Sequence, residues 1–138
     1  MTDSAKPPSL LVTSGLVELA AGAVSGWVYT LATTDPERAK KLGIVSATRV
    51  RQWHLDLAML GTGTVAVGVA VPDAPRVVQL ALGTGAWTNA MMFLPLAFAP
   101  DAIDAKAYRA AAGASFVATT VGFVGMAATA VRRRRAAV

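Results

Sequence analysis

The chain has 138 residues, 54% of them hydrophobic and only 15% charged, with a mean hydropathy of +0.51. This is more apolar than a soluble domain of ordinary composition, and the charges cluster between apolar runs instead of spreading over a solvated face, so the composition places it in the membrane class. Four of the 13 basic residues behind the net charge of +5 form one block, Arg132 to Arg135. A basic cap on a membrane helix explains that block, and nucleic acid is not an expected partner. The lack of cysteine excludes disulfides, thiolate metal sites and cysteine nucleophiles.

Met1 to Pro8 contains one lysine followed by Pro7-Pro8, and no small-residue cleavage site closes the apolar run after it. That run, 9–32, is long enough to span a bilayer core that needs about 20 residues, and it reads as a retained helix, not a signal peptide. Thr33-Thr34-Asp35-Pro36 is a turn signal, and a charged loop follows to Ser46, where Ser46 or Thr48 can cap the next helix. The second span covers 48–71, with Arg49 and Arg51 able to snorkel to the interface from its first turns. Pro72-Asp73-Ala74-Pro75 is a tight connection, which makes the second and third spans antiparallel neighbours. The third span covers 76–99, with Pro95 kinking its last turns. The fourth covers 105–131, and Arg132 onward is a tail.

These runs lack the alternation of barrel strands, so the expected fold is all-α: a single integral membrane domain over 1–138, a four-helix transmembrane bundle in the cell membrane. An even number of spans puts both termini on one side, and Arg132 to Arg135 argues for the cytoplasm. Arg38, Lys40, Lys41, Arg49 and Arg51 flank the first loop and argue the other way. Gly61, Gly63 and Gly68 in the second span and Gly83 and Gly85 in the third permit close helix packing, within one chain or between subunits.

Ionisable groups at bilayer depth are costly and therefore informative. Glu18 shares a face with Ser14, Gly22, Ser25 and Tyr29, a small and polar stripe that must face protein, a cofactor or a cavity. Its structural reading is a buried carboxyl held neutral by a hydrogen bond to a neighbouring helix. His54, the only histidine, shares a face with Leu57, Ala58, Gly61 and Val65, where small groups leave room for something flat. One histidine cannot build a multi-histidine metal site, but one axial nitrogen suffices for haem. The structural alternative has it bonding Asp56 or a backbone carbonyl. Asp56 is two residues on and points away from His54, so it is expected to meet a basic residue on another helix or subunit. In the third span Gly85, Asn89 and Phe93 line one face with Met92 beside them. The Asn89 amide either bridges helices or contacts a substrate in an apolar pocket.

Arg51-Gln52-Trp53-His54 with Gly61, and Gly83-Thr84 followed by Ala86-Trp87-Thr88-Asn89, resemble motifs of the styrene oxide isomerase and hydroxylaminobenzene mutase family, small four-helix membrane enzymes. The resemblance implies haem b held between protomers of a homotrimer, with His54 as axial iron ligand, Gly61 and Trp87 beside the cofactor, and Asn89 in the substrate pocket. It implies an isomerase in which ferric haem acts as Lewis acid on a small hydrophobic epoxide or N-hydroxy compound, without net redox change. Two of the family's pocket residues are replaced: its second-helix asparagine is Leu60 here, and its tyrosine four residues after the third-helix asparagine is Phe93. Gly85 stands where the isomerase has an aspartate and the mutases have glycine.

Two other classes fit the same chain. A small multidrug-resistance-type proton-coupled exporter would use Glu18 to exchange protons for a cationic substrate. A membrane anchor for an electron-transfer partner would need a second axial ligand and a docking surface that the sequence does not display.

Overall fold

The structure is a computed structural model that describes residues 7–138; Met1 to Lys6, and with them most of the stretch preceding the first span, lie outside the described residues. Helix α1 covers Leu10–Thr34, α2 Pro36–Lys41, α3 Ala47–Ala70, α4 Arg76–Met91, α5 Phe93–Phe98 and α6 Lys106–Ala136, with a 3-10 turn over Pro100–Asp104 before the last. No strand occurs among the described residues.

Local chemistry sets the boundaries. The Ser9 side chain accepts the Val12 amide at 3.3 Å and starts α1, and the Ser46 side chain accepts the Arg49 amide at 3.4 Å and starts α3. The segment read from the sequence as a charged loop holds a helix, α2, because Asp35 caps it through the Arg38 amide at 3.0 Å and Pro36 takes the first helical position. Gly43, at φ +85°, then reverses the chain in a conformation other residues rarely adopt. Pro95 acts earlier than its own position. Its missing N–H and its ring conflict with the Met91 carbonyl, and the helix breaks at Met92, where the Tyr108 hydroxyl donates to the Met92 carbonyl at 2.6 Å. The basic block is not a separate tail, since α6 runs on through Ala136 and Arg133 pairs with Asp73 of the α3–α4 connection.

Two helical hairpins make the body: α1 packs along α3, α4 packs along α6, and α3 meets α4 as the short connection requires. In α1 the buried positions Leu11, Gly15, Glu18, Gly22 and Ser25, and in α6 Ser115, Thr119, Gly122, Met126 and Thr129, alternate in steps of four and three, the repeat of helices that pack lengthwise. Glycine permits the closeness. A Cβ on Gly61 would stand 2.6 Å from the Leu19 amide nitrogen, and a Cβ on Gly122 would overlap the Leu82 backbone.

The ends of the bundle are apolar, with Leu11, Val71, Ala74, Leu82 and Met126 clustered at one end and Ala32, Ala39, Ile44, Val50 and Ala97 at the other. Buried polar residues, Glu18, Ser25, Thr64, Ser115 and Thr119, lie between small neighbours, whereas Val24, Trp27, Met59, Leu80, Phe116, Val117 and Val124 face outward. A large apolar exterior over a small, partly polar interior is the inverse of a soluble protein and suits a lipid surround. Three helical segments, Leu10–Thr34, Arg76–Phe98 and Lys106–Ala136, are long and apolar enough to cross a membrane. The fourth long helix, α3, falls below them in hydropathy because it carries Arg49, Arg51, His54 and Asp56.

Candidate functional site

The antiparallel packing of α1 on α3 fixes the surroundings of His54. Nδ1 lies 2.9 Å from the Gly22 carbonyl and 3.1 Å from Ser25 Oγ, and Ser25 in turn donates to the same carbonyl at 2.7 Å. A carbonyl can only accept, so the Gly22 contact calls for a proton on Nδ1, and in the neutral ring that places the lone pair on Nε2. Nε2 has no protein partner among the described residues, and the imidazole is half-buried. The Tyr29 ring stacks beside it, with centroids 6.2 Å apart and planes 13° from parallel. Gly26 completes the cradle, for a Cβ there would stand 3.3 Å from His54 Cε1. The backbone bond expected of a structural histidine is therefore present, and the same bond orients a ring whose other nitrogen is free. Asp56 takes no part in it.

Glu18 lies on the same seam. It is wholly buried, and both its carboxyl oxygens lack a hydrogen-bond partner among the described residues, as does the buried hydroxyl of Thr64 on α3. At Glu18 the stripe faces protein, one of the three surroundings expected for it, but the hydrogen bond expected from Glu18 to a neighbouring helix is not made among the described residues. Asp56 likewise makes no ion pair among the described residues, so of the two basic partners expected for it, on another helix or on another subunit, the first is not found. Glu18→Gln preserves shape while removing the possibility of a buried charge, so assembly and thermal stability are expected to stay close to those of the native chain. Size-exclusion chromatography and a thermal melt check this; aggregation or a clearly lowered melting temperature would mean that the charge itself holds the structure.

The third-span residues separate into different surroundings. Asn89, Met92 and Phe93 line a cavity of about 360 Å³ with Arg49, Tyr108 and Arg109. The Asn89 amide makes no helix-bridging hydrogen bond among the described residues, which leaves it to the cavity. Gly85 keeps the side it shares with Asn89 and lies buried against Thr119 of α6, the helix that also supplies Tyr108 and Arg109 to the cavity. Trp87 turns the other way, its Nε1 donating to Ser14 Oγ of α1 at 3.0 Å beside a larger cavity of about 770 Å³. Gly61 is buried in the α1–α3 contact, and Leu60 is half-buried on α3. Six residues beyond His54, Leu60 points roughly 120° away from it around the helix.

His54 lines neither cavity. Comparison with known protein families, with curated proteins and with solved structures finds no match to this chain. Within one chain, then, the fold joins His54 to Ser25, Gly26 and Tyr29 and joins Asn89 to Phe93, but it does not bring those two groups together or bring Trp87 to either. The sequence offered Ser25 and Tyr29 only as companions of Glu18. Their meeting with His54 follows from pairing α1 and α3 in register, visible as two matching seams of small residues. Arg49, Tyr108 and Arg109 were legible as charged or aromatic helix ends, with no sign that they share a cavity.

Proposed function

We propose that α3 is the fourth span of a transmembrane bundle in the cell membrane, and that the chain is a haem b-dependent isomerase acting as a homo-oligomer, a trimer by resemblance. The observation that carries this reading is the Nδ1–H bond of His54 to the Gly22 carbonyl. A backbone carbonyl behind the distal nitrogen is the arrangement that fixes the tautomer of a ligating histidine and raises the basicity of its other nitrogen. The residues present suit the group at the ligand itself: an Nε2 without a protein partner among the described residues, on a ring oriented from behind through Nδ1, with Gly26 carrying no side chain against it. Ferric haem, when bound, supplies a Lewis acid toward an epoxide or N-hydroxy oxygen. Ser25 and Gly22 hold the imidazole plane, and Tyr29 limits its rotation. Asn89 orients a substrate polar group, while Met92 and Phe93 exclude water from a hydrophobic substrate. Because His54 does not line the Asn89 cavity of its own chain, this reading needs a neighbouring protomer to supply the cavity. The visible spectrum of the detergent-purified protein is the direct test, with a Soret band expected and its absence after haem supplementation overturning the reading.

The replaced family residues give a test of chemistry. Turnover is expected to be a redox-neutral rearrangement that stops when the iron is reduced. Phe93 already lines the cavity, so Phe93→Tyr places a hydroxyl there, and with Leu60→Asn it should raise activity on styrene oxide. The gain of one hydrogen bond, about 0.5–1.5 kcal/mol, corresponds to roughly two- to tenfold in rate. Product analysis with styrene oxide and phenylhydroxylamine under oxidising and reducing conditions checks it. No turnover by either protein at full haem occupancy would remove the isomerase assignment while keeping the haem.

A second reading is supported by Glu18, whose buried, unpartnered carboxyl is what a proton-coupled exporter requires. Haem-free protein that drives cation efflux dependent on Glu18 would favour it.

A further inference from the structure

A second cavity, larger than the one beside Asn89, lies away from His54 between the first turns of α1 and the length of α4 from Arg76 to Thr88, and it is lined by Leu11, Leu80, Gly83 and Trp87 with Arg76 and Gln79 at one end. Its volume of about 770 Å³ is that of a ligand site. From Arg76 to Trp87 is eleven residues of helix, about 16 Å at ~1.5 Å per residue, which is close to half of a hydrocarbon core ~30 Å thick. The groove therefore runs from the edge of the membrane to its midplane, the depth of one leaflet. Its walls are mainly apolar, with Ser14, Thr84 and Thr88 among them, and its outer end carries a guanidinium that is exposed and makes no ion pair or hydrogen bond among the described residues. The acid nearest in sequence, Asp73, is already paired with Arg133. The Gln79 side-chain N–H donates to the Ala74 carbonyl at 2.7 Å, and among the residues lining the groove Arg76 is the cation open to a ligand. At the inner end the Trp87 N–H is taken by Ser14, so the indole presents an apolar floor.

We propose that this groove holds one acyl chain of an anionic phospholipid from the adjacent leaflet, with the headgroup phosphate at Arg76. A chain one leaflet deep matches the length, and a single unpaired cation at the headgroup level selects charge. The site takes α4 and α5 as membrane-spanning and is independent of the haem reading, since none of its residues touches His54.

The test uses the full chain reconstituted in nanodiscs or detergent, with bound lipid counted by native mass spectrometry against phosphatidylglycerol and phosphatidylcholine of identical acyl chains. The native chain is expected to retain one phosphatidylglycerol per protomer, about fivefold in preference to phosphatidylcholine, as one basic residue at a membrane surface provides. Arg76→Gln should bring the two lipids level, and Arg76→Lys should restore most of the preference. Gly83→Leu fills the groove without a backbone clash, because a Cβ there meets only Leu11 Cδ1 at 3.6 Å, and it should lose both lipids at unchanged helix content. Equal retention of the two lipids by the native chain would overturn the proposal. So would an unchanged preference in Arg76→Gln, or a preference that disappears with Arg132→Gln instead.

Discussion

His54→Ala is expected to abolish haem retention completely while expression, helix content and oligomer size remain those of the native chain. The asymmetry follows from what the imidazole touches. Its bonds are to the Gly22 carbonyl and Ser25 Oγ, and Ser25 already has a separate bond to that carbonyl, so removing the ring strands no buried polar group. The fold loses about 1 kcal/mol, the usual worth of such a hydrogen bond, whereas the proposed haem would lose the only imidazole in the chain. Two companion experiments separate ligation from packing. Free imidazole should enter the space left by His54→Ala and restore the Soret band, which a merely structural histidine would not allow. Gly26→Val should keep the ligand but displace it, since even a Cβ at that position stands 3.3 Å from His54 Cε1; the expected result is haem bound with an altered spectrum. An unchanged Soret band in purified His54→Ala would show that the ligand lies elsewhere.

The helices were legible because their signals are local. Apolar runs of spanning length gave α1, α4 with α5, and α6, and Ser9, Ser46 and Pro95 fixed ends or a break within a few residues of where they stand. The helical loop α2 was hidden by its charge: Glu37, Arg38, Lys40 and Lys41 read as solvated chain, although Asp35-Pro36 carries both a capping side chain and a first-turn proline. The candidate site was legible one helix at a time. His54 and the Glu18–Ser25 stripe were each evident by spacing, but their contact depends on how far α1 slides along α3, a quantity set by which glycine meets which backbone. Periodicity within a helix carries no such information. The same limit explains why Gly85 and Asn89, on one face by number and both turned toward α6, meet different surroundings: Gly85 closes on the Thr119 backbone, while Asn89 one turn on lines the cavity. It explains Glu18 too, since a hydrogen bond from a neighbouring helix cannot be read before the neighbour is known.

The α4–α6 contact yields the largest expected effect on stability, and an ordered series tests it. Gly113, Gly125 and Gly122 all lie on α6, and a Cβ at each meets something different: nothing within 4 Å at Gly113, the Val78 side chain at 2.7 Å at Gly125, and the backbone of Leu82 at Gly122. Ala is favoured over Gly in a helix by up to about 1 kcal/mol, so Gly113→Ala should raise the melting temperature slightly. Gly125→Ala should be moderately destabilising, because Val78 can shift to relieve the contact. Gly122→Ala cannot be relieved by a rotamer change, and α4 must move away from α6. The expected cost is about 3 kcal/mol, at the upper end for overpacking, or roughly 10 °C in melting temperature. Gly85→Ala on the facing helix should behave like Gly122→Ala, since its Cβ would overlap the Thr119 backbone. It should also disturb the Asn89 cavity one turn away more than it disturbs His54, which is held by the other hairpin. Thermal unfolding of the detergent-solubilised variants, followed by far-ultraviolet circular dichroism, measures the order. If Gly113→Ala proves as damaging as Gly122→Ala, the register of α4 on α6 is wrong, and with it the cavity assigned to Asn89 and Phe93.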